Sequence, residues 1–566
     1  MRKIAVAIAI LFLSAFVSIS AHGAPEPDER WIPPSPTANG QIGISFDDRE
    51  DYFYIGALRA LVVKNGTYTG PVCTSLVDAN CANAEYFAIK AVLAPCTSPA
   101  QVNCVEGISA RKSDGTEEKA EFVDYVSSDK SLYWTGDEAK NVPDSKVESI
   151  WHFPSITHSG GRDFLLNAIL DGSYRKTGDP NWGRMVAMIQ PVTKIPDSQT
   201  ERPRAFTNET LDFVTPEQVA IAGGWTGAQR GGLTKNCAAT IDGACFRREA
   251  FPVNTSFTLS IRTNSQVTGW IHGRMTNPSV SIAQRDRFWV TTVSGEPTEV
   301  PVVARWFNKE EFGNDLRNAY AGAAYGSFGV GSSGVAQRYG STGQYDATTL
   351  NRFNVVRSYV NDKASANPRI WSFGSIEPKK LASDASALGG RGYCVTNAKG
   401  LAGMVMTNAT VYDGSIPAYS EKDQALNYLV SAPHYTASGS EFLGTYDLVI
   451  RADIAKCIYG FSKTPTSATV SIVKGDSVEK VSTTTLVEKD GWLALSANGF
   501  TYSSPKISVK LNQAPEEAPA KVISAAPTNP VLKKPASKTI SCLRGSSKKI
   551  VKGVNPKCPK GYKLIK

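Results

Sequence analysis

Three pairs of cysteines constrain this chain more than any other feature. Cys73–Cys81, Cys96–Cys104 and Cys237–Cys245 each hold seven residues between the sulfurs, in CTSLVDANC, CTSPAQVNC and CAATIDGAC. The first two are near copies. The enclosed residues are small, polar or turn-forming, which is the composition of a loop. Cysteines this close can bridge where the chain doubles back as a hairpin tip, and closing a nine-residue loop is worth about 2.6 kcal/mol by chain entropy. Zinc ligands usually stand two to four residues apart with further ligands nearby. The spacing here is wider and no histidine sits beside a clamp, so local disulfides are expected. Ten cysteines is an even number. Cys394 is paired with Cys457, and Cys542 with Cys558, by region.

Disulfides imply an oxidising compartment, and the N-terminus agrees. Arg2 and Lys3 precede an apolar run from Ile4 to Ile19, followed by the small residues Ala21, Gly23 and Ala24. This is the layout of a secretory signal peptide spanning residues 1–23. No other stretch approaches the length of a membrane span, so no transmembrane segment is expected after cleavage.

Charge is segregated. Residues 531–566 hold eleven Lys or Arg and no Asp or Glu; without these and the two leader residues, 48 basic side chains face 52 acidic ones. The body is a mildly acidic globule and the positive field sits at one end. Such a field attracts polyanions. Arg544, Lys548, Lys549, Lys552, Lys557, Lys560 and Lys563 are the candidate contacts. Tyr562 is the one aromatic nearby, which argues against stacking on single-stranded nucleic acid.

Pattern along the chain predicts a mainly β protein: several antiparallel β-sandwich domains of immunoglobulin-like type, a few short helices and disulfide-clamped hairpins. A β-rich domain is expected over 24–205, with AEYFAIKAVLA as strand or short helix. A second is expected over 206–368, where FTLSIRT, VTGWIHGRM, SVSIAQ and RFWVTTV follow at close spacing. It contains a Gly/Ser-rich loop over 321–345 and a helix carrying Leu350, Phe353, Val356, Tyr359 and Val360, capped by Asp346. A third β-sandwich spans 369–512, with a helix expected at EKDQALNYLV. A Pro/Ala-rich linker over 513–538 leads to a basic two-cysteine tail over 539–566.

Segments within Gly444–Gln513, among them GTYDLVIRADIAKCIYGFS and EKDGWLALSANGF, resemble large exported proteins of actinobacteria. The tail with its SC, KKI, GVNPKCP and GYK elements, and GWIHGR at Gly269–Arg274, are similar to the same group. The resemblance implies a Gram-positive exporter and a surface or extracellular location. It implies no residue roles.

Motifs for chemistry are weak. GVGSSG at Gly329–Gly334 matches a dinucleotide fingerprint but lies outside any strand–helix unit. His152 and His158 could share a bent loop, and a zinc site would need a third ligand. His272 reads as a packed or edge residue, and His434 completes the histidines beyond the leader. Asp47, Asp48, Glu50 and Asp51 could supply carboxylates for glycoside hydrolysis; a solvated or calcium-binding loop is the plainer reading. No nucleophile elbow and no HExxH are present. No catalytic residue, metal or cofactor is assigned. The expectation is an exported, envelope-associated protein with a binding, adhesion or structural role, its tail on anionic wall polymers or glycans. Other surface proteins are further partners, and Trp182, Trp225 and Tyr325 are candidate contact residues. The rival expectation is a secreted polysaccharide hydrolase.

Overall fold

The computed structural model describes residues 26–32, 37, 41–48, 53–54, 56–64, 67–196, 229–230, 236–311, 313–320, 336–339, 347–376, 378–474, 477–486, 488–502, 506–513 and 537–565. They are dominated by antiparallel strands with a few short helices and five disulfides. The chain divides into two compact units, Met1–Ala514 and Pro515–Lys566. The expected leader over 1–23, the cap Asp346, GVGSSG, Trp225, Tyr325 and most of the Gly/Ser-rich loop lie outside the described residues.

A long sheet organises the first unit. Strand pairing runs from Ala57–Lys64 through Tyr86–Val92, Asp163–Arg175, Asn181–Pro196, Arg369–Ser375 and Gly269–Arg274. It continues through Leu401–Thr407 and Leu443–Arg451 to Trp492–Thr501. Within this run the Gly269–Arg274 and Leu401–Thr407 pair alone is parallel. Both of these strands are buried at every position. That is the behaviour of strands covered on two faces; LAGMVMT is accordingly almost continuously apolar, while GWIHGR buries His272 and Arg274 as well.

Each face of this sheet packs on another sheet. On one side lies a five-stranded sheet in the order Thr276–Arg285, Phe288–Glu296, Thr255–Thr263, Cys104–Lys112, Glu117–Lys119. Its strand TSFTLSIRT alternates strictly, with Phe257, Leu259 and Ile261 turned inward. They meet Phe87, Ile89, Leu166, Trp371 and Met404 from the long sheet. On the other side lies a sheet built from Val411–Tyr412, Ala425–Ser431, Lys506–Gln513, Pro465–Lys474 and Ser477–Thr485. Tyr428, Val470, Ile507 and Val509 from that sheet share a core with Trp270, Val405, Tyr446 and Leu448. The helix Ala347–Tyr359 buries Leu350, Phe353 and Val356 in the same core, as its spacing predicts.

Several expectations change. The boundaries near 205 and 368 do not separate compact units, because pairing crosses them. Thr255–Thr263 pairs with Cys104–Lys112, and Arg369–Ser375 lies between Asn181–Pro196 and Gly269–Arg274. AEYFAIKAVLA contributes a strand, Tyr86–Val92. EKDQALNYLV is not a helix. Its first four residues form a turn, with Gln424 at φ 52°, and Ala425–Ser431 is a strand held by Lys506–Gln513. Tertiary pairing overrides a helical propensity that is only a weak prior. Of the three clamps, Cys237–Cys245 alone joins two paired strands, across an Asp242–Gly243 turn at φ 53° and 71°. These are the positive dihedrals that a two-residue hairpin needs. The other two clamps close loops.

The described residues of the second unit form three strands in the order Ser547–Gly553, Lys538–Arg544, Lys563–Ile565. Cys542 is fully buried and bonded to Cys558.

Candidate functional site

The C-terminal unit is the most distinctive surface. Arg544, Lys548, Lys549, Lys552, Lys557, Lys560 and Lys563 are all exposed. The hairpin turns at Gly545, φ 57°, so that Arg544 faces Ser547 in register. Alternation along the strands then splits the side chains between two faces. Cys542, Lys549, Val551 and Leu564 share one face, on which Cys542 is bonded to Cys558 and Leu564 is 58% exposed. Lys549 sits 5.5 Å from the centre of the Tyr562 ring, a cation–π contact. The seven candidate contacts therefore do not form one patch. Lys548, Lys552 and Lys563 belong to the opposite face, and Lys557 and Lys560 to the loop between strands.

Among the described residues the histidines gather no set of three metal ligands. His152 Nδ1 is 2.8 Å from the Asp163 carboxylate. His158 instead accepts from the Gly160 N–H through Nδ1 at 3.1 Å and donates through Nε2 to the Asp163 carbonyl at 3.0 Å. Burial lowers the His158 pKa. Among the described residues no group of three or more His, Cys, Asp or Glu could hold a metal ion. His434 is bound to Asp362, which also receives Arg357 at 2.8 Å.

The acidic run is not a solvated or calcium loop at the two positions described. Asp47 and Asp48 are buried, 1% and 3% exposed. Asp48 accepts from Arg274 Nε at 2.5 Å. Arg274 also donates to the carbonyls of Thr407 at 2.9 Å, Thr410 at 3.2 Å and Ala409, and its guanidinium lies 4.4 Å from the centre of the Tyr412 ring. Two residues earlier, His272 Nδ1 is 2.9 Å from the Tyr428 hydroxyl. Complete burial pushes the His272 pKa down to about 3 and raises that of Tyr428 well above its ordinary value. GWIHGR thus carries a polar thread through the core between two sheets. Glu50 and Asp51 lie outside the described residues.

Sequence reasoning missed Asp447. It is 2% exposed; Ser496 donates to its Oδ1, and its Oδ2 has no hydrogen-bond partner. Burial pushes its pKa up to about 7. The sole signal was a carboxylate inside the apolar run YDLVI. Trp182 is half-buried and its indole donates to Asn264 at 2.6 Å, so it packs rather than projects.

Two clefts of about 400 Å³ open on the first unit. One is bordered by Gln266, Arg451, Asp453, Lys456, Glu488 and Trp492. Arg451 is fixed there by a two-pronged bond to Asp453 at 2.6 and 2.7 Å. The other is bordered by Glu296, Glu299, Arg369, Asn408 and Glu441. Glu299 lies 3.7 Å from Arg369, and Glu296 accepts from Asn277 at 3.3 Å.

No family model matches the chain, and a search of curated proteins returns no match.

Proposed function

We propose that this is an exported protein of the cell envelope with a binding, adhesion or structural role, whose C-terminal unit contacts anionic wall polymers carrying phosphate or carboxylate. One observation carries the reading. A small disulfide-held unit displays eight exposed cations among its described residues, Lys538 and the seven candidates, within a segment of eleven positive and no negative side chains. A field of this density recruits polyanions and is screened by salt. Five disulfides and no free cysteine are compatible with an extracellular setting. No described helix is long and apolar enough to cross a membrane. The large three-layer body then serves as the part presented to glycans or other surface proteins. The test is retention on purified cell walls over a salt series. The intact protein is expected to bind at low salt and elute as salt rises, and protein lacking residues 531–566 to pass through. Equal retention of the two would refute the assignment.

A further inference from the structure

Charge alone does not account for the C-terminal sheet. The face opposite the disulfide carries Leu543, Ile550 and Ile565, which are 38%, 70% and 39% exposed. Register places them among lysines. Leu543 lies between Lys548 and Lys563; Ser541 lies between Ile550 and Ile565; Thr539 pairs with Lys552. The result is a row of lysine, leucine and lysine beside a row flanked by two isoleucines. A sheet this small normally turns its apolar residues inward; on the disulfide face Cys542 is buried and Leu564, its register partner, is 58% exposed, while the opposite face sets three exposed aliphatic side chains among lysines. A hydrophilic polyanion offers nothing to three exposed aliphatic side chains. A surface where phosphate headgroups border hydrocarbon satisfies both kinds of residue, since lysine stems lie along apolar surface while their ammonium groups reach for charge.

We propose that this face seats on an anionic lipid surface, with Leu543, Ile550 and Ile565 entering the headgroup boundary and Lys548, Lys552 and Lys563 holding phosphates. The inference rests on the polyanion reading above and narrows it to one face and one ligand class. Each lysine near such a surface contributes about fivefold in affinity, and the three aliphatic residues together at least about tenfold.

The experiment is co-sedimentation of the intact protein with phosphatidylcholine vesicles, with and without phosphatidylglycerol, beside retention on polyphosphate resin. Binding is expected only where phosphatidylglycerol is present. L543S/I550S/I565S is expected to lose vesicle binding about tenfold or more and to keep resin retention. I550S alone, at the most exposed of the three positions, is expected to weaken vesicle binding with no cost to folding. K548Q/K552Q/K563Q is expected to weaken both. Retention on polyphosphate without vesicle binding, or vesicle binding unchanged in both aliphatic variants, would overturn the lipid assignment and leave the polyanion reading standing. Loss of both in the unmodified protein would overturn both.

Discussion

Asp447 makes the folding of this protein depend on pH in a direction that can be worked out. Its strand Leu443–Arg451 lies between Leu401–Thr407 and Trp492–Thr501, and Asp447 stands opposite Met406 and Ser496. Burial raises its pKa from 3.8 to about 7. Between those values the folded state holds a proton that the unfolded chain has released, so unfolding free energy falls as pH rises. The penalty is absent below about pH 4 and complete above about pH 7. Each pH unit in the window is worth about 1.4 kcal/mol, giving a total on the order of 4 kcal/mol. Asp447→Asn removes the titration and keeps an oxygen for the Ser496 hydroxyl. His272 acts with the opposite sign: its pKa is depressed from 6.5 to about 3, so its stabilising contribution is present above about pH 6.5 and lost as pH falls toward 3. The two slopes oppose each other in the parent protein, so the measurement must be a difference. Urea unfolding of parent and variant from pH 4 to pH 8 should give a difference curve that climbs in favour of Asp447→Asn, by up to about 4 kcal/mol at the alkaline end. A Ser496→Ala variant, which loses the one bond that favours the ionised form, should extend the parent's decline to higher pH. A flat difference curve would show that Asp447 titrates like an ordinary surface carboxyl, and the argument from burial would fail.

Three further outcomes follow from single contacts. Arg274→Met should cost about 3–5 kcal/mol in urea unfolding, because it leaves Asp48 buried without its guanidinium; adding Asp48→Asn should recover part of that loss. Gly273→Ala should cost about 1–3 kcal/mol, because a Cβ there would stand 2.2 Å from the Ser372 carbonyl oxygen on the neighbouring strand. Cys394→Ser with Cys457→Ser should lower stability by about 4 kcal/mol, since that bridge closes the longest loop of the five, with a separation of 63; an unchanged urea midpoint would show that the cross-link adds nothing to the packing around it.

What could be read from the sequence was local. TSFTLSIRT alternates in letters as it does in burial, and the helix at 347–359 shows its inward residues by spacing. The three cysteine clamps follow from proximity, and the two remaining pairs, assigned by region, match the bonds Cys394–Cys457 and Cys542–Cys558. The three-layer arrangement was not legible, because its contacts join distant residues. Asp48 and Arg274 stand 226 positions apart, and the parallel pairing of Gly269–Arg274 with Leu401–Thr407 spans more than a hundred. A strand buried on both faces has no period to betray it, so neither LAGMVMT nor GWIHGR, with its His272 and Arg274, shows by alternation which side faces which sheet. EKDQALNYLV was misread because its helix-favouring residues occupy a turn and a paired strand. The candidate site was legible as charge and not as shape. Counting lysines gives the field, while their division between two faces needs the register that Gly545 sets.

The C-terminal unit also ties its surface to its redox state. It has too few residues to fold on a core of its own, and among its described residues Cys542 is the one fully buried apolar side chain. Eleven positive charges without a negative one over residues 531–566 oppose compaction further. The Cys542–Cys558 bridge closes a loop with a separation of 16, worth about 3 kcal/mol, which is comparable with all the stability a sheet of this size can hold. Reduction should therefore abolish the two-faced sheet without changing its charge. A reductant titration of the intact protein separates the two contributions. Attraction to polyphosphate, which needs only charge, should survive opening of this bridge. Vesicle binding, which needs lysines and aliphatic residues in register on one face, should fall with it. If Cys542→Ser with Cys558→Ser bound phosphatidylglycerol vesicles as the parent does, a charged and apolar composition would be enough, and the geometry of the sheet would have no part in recognition.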